Sequence, residues 1–191
     1  MKVMSKDMHE DNAKKVKGVI DRAKQALGEV NDCFADVMQT KAELMGAAFG
    51  ADQYAVTLFA EEMLRGTLFF SLSMILKKID PHVRECAHLG DWLIISQGRN
   101  HGSRGYSERV KHLTDVMHKT YERRTVLLVE KISGEEEVPE NVQAIIILNS
   151  SDYPDVLAHV SVRCRNLKVM LAVLFDENQC KDLLSSEGRH L

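Results

Sequence analysis

The sequence predicts an α+β protein, a helical region followed by a region of mixed sheet and helix. Apolar residues recur at helical spacing up to about residue 88. From Leu89-Gly90 onward, the chain changes to short branched runs of strand length. The 191 residues, 45% hydrophobic and 28% charged, match an ordinary globular composition with room for one domain or two small ones. The division expected is residues 1–88 and residues 89–191.

In the first region, Val16, Val19, Ile20, Ala23, Leu27 and Val30 repeat at helical spacing, with lysines and acids between them. Phe34, Val37, Met38, Leu44 and Met45 continue the pattern in a second segment, which Gly50 breaks. Asp52 is an N-cap for a third helix carrying Ala55, Leu58, Phe59 and Met63. Gly66 interrupts, and residues 68–79 form a fourth helix. Asp80-Pro81 reads as an N-cap with proline at the first helical position, opening a short helix to about Ala87.

In the second region, strands are expected at residues 92–96, 125–132, 142–148 and 168–175. A Gly/Asn/Ser/Arg loop covers residues 98–105. A helical stretch follows, with Val110, Leu113, Val116 and Met117 on one face. Ser133-Gly134 and the acids Glu135, Glu136 and Glu137 read as an exposed, solvated turn. Residues 177–184 look helical, and a new strand starts at Gly188.

Several function classes find no support. A net charge of −3 without a basic stripe argues against a nucleic-acid surface. Cys33, Cys86, Cys164 and Cys180 are scattered and form no C-x-x-C, so neither a disulfide scaffold nor a zinc ribbon is indicated, and a reducing compartment is the default. His82 and Cys86 are helical neighbours near His88, but no second pair completes a metal site; no metal is expected. The longest uncharged apolar run, residues 66–76, falls short of the about 20 residues that span a bilayer, so no membrane partner is expected. The first residues are polar and mixed in charge, unlike a signal peptide, and their early acids argue against a transit peptide. Residues 98–105 lack the Lys-Ser/Thr ending of a phosphate loop, and no Ser-His-Asp order stands out.

The stretch PDVLAHVSVRCRN (residues 154–166) carries the chemistry. The apolar run 144–148 leads into a polar turn, marked by Pro154 and Asp155, that opens onto a short helix with His159 in its first turn. A histidine after a turn is more often structural than nucleophilic, and arginines are more often a solvated face. Three features weigh on the other side. A helix N-terminus favours anions and disfavours imidazolium, which keeps the ring nucleophilic. Arg163, four residues on, shares the helix face with His159. Guanidinium forks suit phosphate oxygens. Arg165, six on, points elsewhere if the helix runs straight.

Four blocks together resemble the α-glucan, water dikinases: GADQYAVTLFAEEMLR (50–65), KKIDPHVRECAHLGDWLIIS (77–96), KISGEEEVPENVQAIII (131–147) and PDVLAHVSVRCRN (154–166). The resemblance runs from about Val19 to the end of the chain. The last block is also similar to the mobile phosphohistidine domain of pyruvate, phosphate dikinase: a histidine, small or branched residues, then an arginine six positions on. The resemblance implies a helical linker followed by a swivelling β/β/α phosphohistidine domain, here truncated at its C-terminus. It implies that His159 takes the β-phosphate of ATP and carries it to a glucosyl hydroxyl of a starch-like glucan, while the γ-phosphate goes to water. Arg163 and Arg165 would offset phosphate charge. ATP and Mg²⁺ would bind outside this chain, on an ATP-grasp domain in the same polypeptide or in trans, and the chain alone would be inactive.

The chain also departs from that pattern. The redox-active cysteine pair that plastid members carry after the histidine block reads Met170 and Leu174 here, and Cys164 replaces a small residue before Arg165. The strand expected after Gly105-Tyr106 reads Ser107-Glu108-Arg109-Val110, polar for a strand. A fragment of a dikinase is therefore the leading expectation, and a non-catalytic swivelling-domain scaffold is the alternative. The compartment, plastid or cytosol, is left open.

Overall fold

The computed structural model describes residues 2–98, 105–148 and 152–190. Most of the 98–105 loop and the turn after Leu148 lie outside the described residues. Contacts divide the chain into two compact units, Met1–Leu89 and Gly90–Leu191.

The first unit is three helices: α1 (Lys2–Phe49), α2 (Gln53–Arg65) and α3 (Leu68–Cys86). Where spacing suggests two segments before Gly50, α1 is continuous. It is rich in Lys and Ala, good helix formers, and lacks proline. Gly50, at φ +66°, ends it. Asp52 caps α2 as expected, its carboxylate accepting from the Ala55 N–H at 2.9 Å. The face that α2 buries is Val56, Ala60 and Leu64, one position on from the apolar set in the sequence reading. Gly46 is the close-approach point: a Cβ there would stand 2.4 Å from the Val56 side chain.

The expected break at Asp80-Pro81 does not occur, and α3 runs through Pro81. The reason lies in Asp80. Its side chain is fully buried and faces two lysines of α1, with Lys17 Nζ at 3.2 Å and Lys24 Nζ at 2.9 Å. A carboxylate held by two ammonium groups is not available to cap a new helix.

The second unit is α+β, as the sequence predicts. Its strands are β1 (Trp92–Ser96), β2 (Tyr106–His112), β3 (Thr120–Lys131), β4 (Glu140–Ile147) and β5 (Met170–Leu174), with helices α4 (His159–Leu167) and α5 (Glu177–Ser185). The sheet order is β1-β5-β4-β3-β2. β2 to β5 are mutually parallel, and β1 pairs antiparallel with β5 at one edge. Val126, Leu128, Ala144, Ile146 and Leu174 face one side with Leu183 and Leu184 of α5. Leu127, Val129, Ile145, Ile147, Leu171 and Val173 face the other with Val160 and Cys164 of α4. Burial on both faces explains why these strands read as unbroken apolar runs.

β2 corrects two expectations. The helix placed over Val110 to Met117 is instead the end of this strand followed by a 3₁₀ turn, Leu113–Asp115. The polar Ser107-Glu108-Arg109 segment is a strand because its polar groups have partners. Ser107 Oγ donates to the Ser186 carbonyl at 2.5 Å, Lys119 Nζ and the Tyr121 hydroxyl both donate to Glu108, and Arg109 pairs with Glu130. At the chain end a single antiparallel bridge, Tyr106 to His190, forms on β2.

Candidate active site

α4 begins where the sequence places it. Asp155 shapes the approach, its carboxylate accepting from the Leu157 N–H at 2.9 Å and its carbonyl from the Ala158 N–H at 3.3 Å. Ala158 is the N-cap and His159 the first helical residue. Val160 and Cys164, both fully buried, anchor the helix to the sheet.

The loop after β3 reaches this helix start. Gly134 has φ +102°, and a Cβ there would lie 3.3 Å from that of Ala158. Its carbonyl accepts from the Val160 N–H at 2.9 Å, satisfying a donor that the first helical turn leaves without an intrahelical partner. Glu136 is buried and closes the loop on itself, accepting from the N–H groups of Ser133 at 2.6 Å and Gly134 at 2.7 Å. This corrects the solvated-turn expectation: of the three acids, Glu135 is exposed, Glu136 is buried and Glu137 is half-exposed.

Glu137 is the residue that sequence reasoning missed. Its Oε1 lies 2.8 Å from His159 Nε2, and its Oε2 accepts from Arg163 Nε at 2.9 Å. His159 and Arg163, expected on one helix face, are thus joined through one carboxylate. Arg165 goes elsewhere, as its spacing implies: its Nη1 donates to the Val156 carbonyl at 3.3 Å, tying α4 back to the segment before it. The His159 side chain is only 6% exposed, against 41% for Glu137 and 37% for Arg163, so the latter two stand on the solvent side of the ring.

Burial would raise the Glu137 pKa, but hydrogen bonds and charge from Arg163 and His159 outweigh it and hold the carboxyl below its ordinary range. An ionised carboxylate only accepts, so His159 Nε2 carries the hydrogen in this arrangement. Cys164, one residue past Arg163, is pushed up to about 12 by burial and takes no part as a thiolate. Among the described residues, no group of three His, Cys, Asp or Glu could hold a metal ion.

A family model, alpha-glucan water dikinase, phosphohistidine-like domain, matches residues 91–191, more than half of the chain and all of the strands and helices around His159. The chain belongs to this family. It is 40% identical over 188 residues to a chloroplastic alpha-glucan water dikinase of Citrus reticulata, covering 98% of this chain and 12% of that protein. It is 41% identical to the chloroplastic enzyme of Solanum tuberosum (92% of this chain, 12% of that protein). It is 34% identical to alpha-glucan water dikinase 2 of Arabidopsis thaliana (93% and 13%). The chain therefore spans about an eighth of the length of these relatives. No solved structure matches it. The signal for Glu137 was present in the sequence: it sits inside KISGEEEVPENVQAIII, and Val138 and Pro139 beside it are too apolar for a fully solvated turn.

Proposed function

We propose that this chain is the phosphoryl-carrier segment of an α-glucan, water dikinase and that His159 is the acceptor. The observation that supports this reading is the convergence of the His159 ring and the Arg163 guanidinium on one anionic group at the start of α4. An imidazole nitrogen attacks the β-phosphorus of ATP. A P–N bond forms as AMP leaves with the bridging oxygen, and water takes the γ-phosphate as inorganic phosphate. The ring proton passes to solvent. A glucosyl hydroxyl then attacks the phosphohistidine, forming a phosphate ester and restoring the imidazole. One covalent carrier can serve two separate sites in turn.

Arg163 offsets phosphoryl charge at the ring. Arg165, held by the Val156 carbonyl, acts at longer range and keeps the entry to α4 in place. ATP and Mg²⁺ are held on an ATP-grasp domain outside this chain, and the glucan is a further partner. The test is to mix the chain with such a domain and with ATP labelled at the β or the γ position. Label from the β position only, acid-labile, base-stable and absent from His159→Asn, is the expected result. No label on the intact chain, with the added domain active on its own substrate, means a non-catalytic scaffold.

A further inference from the structure

Glu137 has no place in the phosphoryl-transfer scheme, yet it touches both groups that the scheme uses. It bridges His159 Nε2 and Arg163 Nε through its two oxygens, at 2.8 and 2.9 Å. A phosphoryl group on Nε2 would present anionic oxygens to the same guanidinium and would need the same space. We propose that Glu137 is a placeholder: its carboxylate holds the unloaded His159 ring and the Arg163 guanidinium in register, stands where the phosphoryl oxygens will sit, and is displaced when Nε2 is loaded. This inference rests on the carrier reading for its biological meaning, but its chemistry is open to a separate test.

Three observations support it. The ring is buried and Glu137 is on its solvent side, so an incoming phosphorus meets the carboxylate first. The Glu137 carboxyl is held below its ordinary range, so it remains an anion at neutral pH and repels a phosphoryl group. The loop that carries it is fixed independently of that contact, through Glu136 on the Ser133 and Gly134 N–H groups and through Gly134 on Val160. The Glu137 side chain can therefore swing away without unfolding its loop. In the loaded state, Arg163 exchanges a carboxylate for a phosphoryl partner and stays paired with an anion.

Phosphoramidate tests this without a kinase domain. Once Glu137 has moved aside and the ring hydrogen sits on Nδ1, the free lone pair of His159 Nε2 displaces ammonia from it; a P–N bond forms, a P–N bond breaks, and the ring hydrogen leaves on the ammonia. The intact chain, Glu137→Gln and Glu137→Ala are each treated, and loading of His159 is followed by ³¹P and ¹⁵N NMR, with thermal unfolding as the check on folding. Both variants should load roughly three- to tenfold faster than the unmodified chain, the size expected from removing one half-exposed charge beside the phosphoryl group. The product should carry phosphorus on Nε2. Equal or slower loading in Glu137→Gln, loading on Nδ1, or no loading in any of the three proteins overturns the placeholder. If Glu137→Ala alone is slow, the residue orients the ring by its hydrogen bond, and the placeholder is again overturned. Failure of the ATP test with success here would reject the carrier reading and leave the placeholder standing.

Discussion

Asp80 Oδ2 lies 2.9 Å from Lys24 Nζ, a contact that joins α3 to α1 at the residue before a proline. Asp80 is completely buried, and Lys17 approaches its other oxygen. The carboxylate is held by charge and distance rather than by aligned hydrogen bonds. Burial pulls the Lys24 ammonium below its ordinary range, and the Asp80 carboxylate works against that pull. Removing Asp80 takes the paired carboxylate from the desolvated Lys24 ammonium, while Lys17 keeps Asp21. Asp80→Ala should destabilise the helical unit by about 3 kcal/mol or more. The measurement is urea unfolding followed by helical ellipticity; an unchanged midpoint would remove the cluster from the account of this unit.

Much of the second unit was legible because its strands are buried on both faces. Residues 125–132, 142–148 and 168–175 are runs that suit an enclosed parallel sheet; β4 and β5 fall close to them, while β3 ends near its run but begins five residues earlier, at Thr120. β2 was not legible, since the partners that make its polar residues acceptable, Ser186, Glu130 and Lys119, lie far along the chain or in the following turn. Pro81 misled for the same reason: the group that decides whether Asp80 caps a helix is a lysine more than fifty residues earlier. At the site, the i,i+4 relation between His159 and Arg163 is local and was read correctly. For Glu137, twenty-two residues before His159, the apolar Val138 and Pro139 signal a partly buried turn, but the pairing with His159 is set by the fold.

Gly134 holds a left-handed backbone against the start of α4. Gly134→Ala puts strain into the loop and presses a methyl group on Ala158. The expected cost is about 1–3 kcal/mol. The same substitution should also loosen the Glu137 contact, visible as a shift of the His159 ring ¹⁵N resonances. A stable variant with unshifted resonances would show that the loop does not depend on this glycine.

Glu137 titrates with a definite sign. Its folded pKa lies below the ordinary 4.5, so between that folded value and about 4.5 the unfolded chain binds the extra proton. Its contribution to stability is present above about pH 4.5 and is lost as pH falls through the folded value. Plots of unfolding free energy against pH should therefore fall less steeply on the acid side for Glu137→Gln than for the unmodified chain. Parallel plots would mean that the contacts to His159 and Arg163 do not hold in solution.

Thiol chemistry should leave the site untouched. Cys33 and Cys86 are exposed, whereas Cys164 is fully buried with its thiol pushed up to about 12. At pH 8 its thiolate fraction is then about one in ten thousand. Alkylation of the folded chain should modify Cys33 and Cys86 and spare Cys164, and a mild oxidant should form no Cys164–Cys180 bridge. Ready formation of that bridge would restore a redox role next to Arg163 and Arg165.

The central claim is that one histidine, His159, takes the phosphoryl group. The most direct measurement is to load the chain from ATP with an ATP-grasp dikinase domain in trans and to locate the added phosphate by mass spectrometry with electron-transfer fragmentation. The account predicts phosphate on His159 and on no other of the eight histidines. Phosphate on His82, His88, His112, His118 or another histidine, with His159 unmodified, would contradict it.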